Sequence, residues 1–142
     1  MYEGNLSIQI GEIQSETFGN RIIEEPQNLS YILSMEFQVN TTIAKGTTSI
    51  LEIKSTSEDK SKISKILEDA KKFIINKHEN DTSFYKNKIM TKQIGEIKIS
   101  NEAINKPKKS LILVVAFVTG FILSIFLVFF MQFINSFKEE KN

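Results

Sequence analysis

A small mixed α/β (α+β) domain with a long helix, followed by one C-terminal transmembrane helix, is the fold class this sequence predicts, on three observations. Apolar and charged residues are segregated along the 142 residues: seven of the 11 Phe lie beyond residue 110, but of the charged residues only Lys138, Glu139, Glu140 and Lys141 do. Leu111 to Met131 (LILVVAFVTGFILSIFLVFFM) contains no charge and no Pro. Ahead of it, stretches of period-two alternation interleave with stretches of helical spacing, in the order β–α–β–α–β expected of a sheet partly covered by helices.

Each element has its own warrant. Leu6, Ile8 and Ile10 alternate with polar residues and predict a half-buried strand over about 5–13, in which Gly11 marks a bulge or a close backbone approach. Ile22 and Ile23 form a second apolar pair. Pro26, followed by Leu29, Ile32 and Leu33 at helical spacing, predicts a short helix to about Met35. Phe37, Val39 and Ile43 are a weak strand signal, and 47–54, with Ile50, Leu51 and Ile53, a better one. Ser55-Thr56-Ser57-Glu58 fits a capping box ahead of a long helix. Ile63, Ile66, Leu67, Ala70, Phe73 and Ile74 would form that helix's apolar face. The pattern either runs on through Phe84, Tyr85, Ile89 and Met90 or breaks at Asn80-Asp81-Thr82-Ser83. Residues 93–100 read as the last strand. Gln9-Ile10-Gly11-Glu12-Ile13 recurs as Gln93-Ile94-Gly95-Glu96-Ile97. Without matching flanks, the two copies read as strands of similar environment rather than a structural repeat.

The organisation that follows is an extramembrane domain over 1–105, a Pro/Lys linker over 106–110, a transmembrane helix over 111–134 and a short tail over 135–142. At about 1.5 Å per residue the apolar run reaches roughly 30 Å, the thickness of a bilayer's hydrocarbon core. Ala116, Gly120 and Ser124 recur every four residues and are the candidate packing stripe for another membrane helix. Pro107, Lys108 and Lys109 mark where the chain enters the membrane. Orientation is finely balanced: Lys106, Lys108 and Lys109 before the span against Lys138 and Lys141 after it lean, by one Lys, toward a cytoplasmic domain.

Composition argues against several functions. Without Cys there is no disulfide framework, thiolate metal site or Cys nucleophile. One Arg (Arg21) among 18 basic residues argues against base readout in nucleic acid. Phosphate-cradling, nucleophile-elbow and zinc-protease motifs are missing. His78, the single His, stands near Glu79 and Asp81 and reads as a solvated surface feature. Glu24-Glu25 and Glu68-Asp69 are sequence neighbours, which point apart on a helix. No catalytic, cofactor-binding or metal-binding residue is predicted, and the expectation is a protein that is not an enzyme. The N-x-S/T positions at Asn5, Asn28, Asn40 and Asn80 are expected by chance. Residues 1–58 carry a net charge of −5 and residues 59–110 a net +6. This reads first as a solvated basic face beside a membrane, and second as a dipolar protomer able to pair head to tail.

Taken together, Ile10-Gly11-Glu12-Ile13, Glu25-Pro26 with Leu29, the Ile50-Leu51-Glu52-Ile53 strand, the capped helix ending near Ile75 and His78, the 93–100 strand and Pro107-Lys108-Lys109-Ser110-Leu111-Ile112-Leu113 running into a Gly120-containing helix resemble the chain-length determinant proteins of the Wzz type. These are the polysaccharide co-polymerases of bacterial inner membranes. The resemblance implies a periplasmic α/β domain between two transmembrane helices and a cytoplasmic C-terminus. It implies assembly into homo-oligomeric rings that set O-antigen or lipopolysaccharide chain length beside the polymerase and its nascent glycan, without a cofactor. Helix 58–90 would project from the base and pack against other protomers. Met1-Tyr2-Glu3-Gly4 stands where the family's first membrane helix would just have ended, so a start further upstream, a clipped form and a genuine single-span form all stay open. The alternative reading is a tail-anchored membrane adaptor with a cytosolic protein-binding domain.

Overall fold

The computed structural model describes residues 1–141; Asn142, the last residue of the expected tail, lies outside them. The chain divides into two units, Met1–Asn105 and Lys106 onward.

The first unit is built on an antiparallel four-stranded sheet. Its strands β1 (Tyr2–Gln9), β4 (Asn40–Ile43), β5 (Ile50–Ser57) and β7 (Lys92–Ile99) lie in the order β4-β5-β1-β7. A second small sheet, β3-β2-β6, combines β2 (Glu12–Ile13), β3 (Arg21–Ile22) and β6 (Lys88–Ile89). Alternation in β1 sends Gly4, Leu6 and Ile8 inward and Glu3, Asn5 and Ser7 outward, and β5 buries Leu51, Ile53 and Ser55 in the same way. Two helices cover the inward face: α1 (Pro26–Phe37), through Leu29 and Leu33, and α2 (Lys60–Asp81), through Ile63, Leu67, Ala70 and Ile74. Phe37 and Phe73 meet edge to face between them, ring centroids 5.5 Å apart.

Several expectations change. The first strand is interrupted at Ile10-Gly11, so residues 5–13 contribute to both sheets. A Cβ at Gly11 would strike the Ile89 carbonyl and the Met90–Thr91 backbone, which is the close approach anticipated there. The capping box is absent: Ser55, Thr56 and Ser57 belong to β5, and the cap of α2 is Asp59, whose Oδ1 accepts the Ser61 N–H at 2.8 Å. Of the two alternatives for α2, the break at 80–83 holds; Phe84 to Met90 form a turn and β6. The helix therefore lies along the sheet rather than projecting over 58–90, because burying its apolar stripe requires that contact.

The repeated pentapeptide occupies two different environments. Ile10 is buried and Gly11 permits close packing, whereas Ile94 is exposed on edge strand β7. Gly95 there takes φ +67° beside a register shift against β1.

At one end of the domain its two chain ends meet. The Met1 ammonium donates to Asn105 Oδ1 at 2.7 Å, and Ile104 N–H donates to the Met1 carbonyl at 2.7 Å.

The second unit carries α3 (Lys109–Glu140), apolar and long enough to cross a membrane, with no buried residue. It is longer than the expected 111–134 at both ends. Lys109 and Ser110 form its first turn, and 135–140 continue it, assisted by the Phe133–Phe137 ring pair at 4.7 Å and by Lys138 near the negative end of the helix dipole.

Candidate functional site

The stripe of α2 that buries Ile63, Leu67, Ala70 and Ile74 does not stop there. The next i+4 step lands on His78, which is 0 % exposed. This overturns the expectation of a solvated histidine: helical geometry carries it into the core, while its neighbour Glu79 and Asp81 point to solvent.

A buried imidazole needs partners for both nitrogens, and they come from two distant segments. Nε2 lies 3.0 Å from Glu24 Oε2, in the connection between β3 and α1. Nδ1 lies 2.5 Å from Thr91 Oγ1, between β6 and β7. Thr91 Oγ1 also accepts the Gly11 N–H at 2.9 Å. A carboxylate only accepts, so in the neutral tautomer that satisfies both contacts Nε2–H donates to Glu24 and Nδ1 accepts from the Thr91 hydroxyl. Four chain segments are thereby tied at one ring. Two further donors fill the Glu24 carboxylate: Asn28 Nδ2 at 2.6 Å on Oε1 and Lys77 Nζ at 3.2 Å on Oε2. Lys77 also holds Asp81 at 2.8 Å. Burial pulls the Lys77 ammonium downward, but its hydrogen bonds to Asp81 and Glu24, with their charges, outweigh this and raise it above its ordinary value.

The composition (carboxylate, imidazole, hydroxyl) is that of a hydrolase triad, but the geometry is that of a clasp. Thr91 is 4 % exposed with its oxygen committed to Gly11, and His78 is sealed, so no reacting atom can reach the pair. The sequence dismissed Glu24 as one of two adjacent acids; in fact Glu24 is buried and Glu25 exposed. The readable signal was the continued i+4 step to His78. Nothing in the sequence pointed to Thr91. Among the described residues no group of three or more His, Asp or Glu is placed to hold a metal ion.

The other anticipated residues lie in the second unit. Ala116, Gly120 and Ser124 share one stripe of α3, where the Ser124 hydroxyl is occupied by the Gly120 carbonyl at 2.8 Å and a Cβ on Gly120 would meet open space. Pro107 precedes the helix, Lys108 is its N-cap residue without a side-chain cap bond, and Lys109 is its first residue. Comparison with known proteins returned no matching family model, no matching curated protein and no matching solved structure.

Proposed function

We propose that this chain is a membrane-anchored, non-enzymatic regulator of polysaccharide chain length, acting as an oligomeric inner-membrane co-polymerase beside the polymerase of O-antigen or lipopolysaccharide. The observation that carries the reading is the backbone bond by which Ile104 N–H holds the Met1 carbonyl, so that the start of β1 and the exit to the linker meet at one end of an α/β domain in a chain that continues into α3. A segment preceding Met1 would reach the domain on the side from which the linker leaves, which is what a domain held between two membrane helices requires. In this reading α3 spans the bilayer, the domain is periplasmic and the C-terminus cytoplasmic. The Ala116–Gly120–Ser124 stripe meets a first membrane helix or a neighbouring protomer, and Lys108 and Lys109 lie at the headgroups.

The test is complementation of a bacterial strain lacking its chain-length regulator, with the glycan ladder read on a gel. A restored modal length is expected, from the chain alone or with a preceding membrane helix supplied. An unregulated ladder from both forms, with each protein present in the membrane fraction, refutes the reading. The surplus of Lys before the span favours a second one, a tail-anchored adaptor with a cytosolic domain. Protection of the domain from protease added to the periplasmic side selects it.

A further inference from the structure

At the other end of the domain from Met1, the small sheet and its two loops line an open apolar hollow of about 550 Å³, with Ile13, Phe18, Arg21 and Tyr85 among its lining; it holds no acidic side chain, the nearest in the loop being Glu16 in the adjoining groove. Cross-strand register sets Arg21 and Lys88 on either side of Ile13, on one face of the sheet. Lys88 Nζ donates to the Thr82 carbonyl at 2.8 Å, which occupies one of its hydrogens but leaves its charge, too, unanswered among the described residues. Arg21 is not spent. Its guanidinium lies 5.7 Å from the Tyr85 ring centre and donates to the Tyr85 hydroxyl at 2.9 Å, and no carboxylate answers it among the described residues. It is the chain's one Arg, held in a fixed pose with donors left over. The aromatic residues here are equally unspent. Phe18 is 91 % and Phe84 94 % exposed, whereas Phe37 and Phe73, the domain's other two Phe, pack on each other.

The geometry points to this hollow as the docking site for an acidic peptide segment of a partner protein, one that seats an apolar side chain against Phe18 and Tyr85 and gives a neighbouring carboxylate to Arg21. A pre-oriented guanidinium beside an apolar hollow of this size selects that pairing of charge and oil, since a purely apolar segment leaves Arg21 unanswered and a basic one is repelled. Phe84, next to Tyr85 in the chain and fully turned to solvent, offers further apolar surface for a segment longer than a single side chain. The inference is independent of any role in glycan assembly, and its test involves no glycan.

The full chain in nonionic detergent is titrated against a fluorescein-labelled, end-blocked peptide of about a dozen residues with a central Phe between Asp and Glu, read by anisotropy. Saturable binding is expected, about tenfold weaker for the same peptide carrying Asn and Gln and for the Arg21→Gln and Phe18→Ser chains. Glu52→Gln, on the outward face of the sheet, leaves it unchanged. Both altered side chains are exposed, and an unchanged urea midpoint confirms folding; Arg21→Lys, which keeps the charge and loses the planar fork, falls between. No saturation at millimolar peptide, or equal binding by the Arg21→Gln chain, overturns the assignment. So does Arg21-dependent binding of phenylacetate in place of the peptide, or of anionic vesicles in place of it.

Discussion

Removing both sides of the His78–Thr91 contact tests whether the clasp acts as one unit. Thr91→Val preserves shape but leaves the Gly11 N–H and His78 Nδ1 without their partner in a site where His78 is 0 % and Thr91 4 % exposed. At roughly 1–3 kcal/mol for each of the two stranded groups, the cost is about 2–6 kcal/mol. His78→Ala vacates the ring's volume and takes one of three donors from Glu24, for about 3–5 kcal/mol. In the double variant the shared bond is lost once rather than twice, so the combined cost falls short of the sum by about 1–2 kcal/mol. Tyr2, Tyr31 and Tyr85 are the only tyrosines, and no Trp is present, so tyrosine fluorescence during urea unfolding reports on the domain without interference from α3. The double variant approaches the whole stability of a domain this size, so the series is run with a stabilising osmolyte throughout. Costs that add to within about 0.5 kcal/mol would mean that His78 and Thr91 act separately, and the clasp would be abandoned.

Three other perturbations follow from the same structure. Lys77 is raised in the folded domain, so the stability it contributes is intact below its ordinary value of 10.5 and is lost as pH climbs through the folded value. Urea midpoints should drop in that alkaline range, and Lys77→Met should remove this component of the drop. Gly11→Ala drives a methyl into the backbone of Ile89–Thr91 and should cost about 3 kcal/mol, more than Gly4→Ala, whose methyl meets side chains alone (Ile63, Leu67 and Ile99); equal midpoints for the two would contradict the packing. Leu123→Arg places a charge in the middle of the apolar run, where insertion costs about 3 kcal/mol. With α3 spanning the bilayer as proposed, it should raise the alkali-extractable fraction of the chain without emptying the membrane pellet, while Ser136→Arg, near the end of α3, leaves that fraction unchanged.

Periodicity in the sequence determined which segments become helix or strand wherever one face is buried. The alternation of Leu6, Ile8 and Ile10 and the stripe from Ile63 to Ile74 each carry a repeat that one geometry alone can satisfy, whereas the run from Leu111 is marked by its length and lack of charge and not by a period. Short segments escaped it. The two-residue strands β2, β3 and β6 have no period to read, and pairing with distant segments makes them strands at all. The end of β5 shows the limit in a different way: Ser55 to Ser57 have the composition of a helix cap, but the ladder to β1, where Tyr2 faces Ser57, holds them extended.

The clasp was legible in one member of three. Local geometry alone brings His78 inward, since an i+4 step is a property of the helix. Glu24 and Thr91 reach it from 54 and 13 residues away through loops whose course no local pattern records. The same holds for the hollow, where Arg21 and Tyr85 meet across 64 residues. Segment type was set by spacing along the chain, and the apolar helix by an unbroken run without charge. Which polar groups share a buried volume was decided only when the sheets and helices closed around them, because a polar side chain is buried where a distant partner satisfies it.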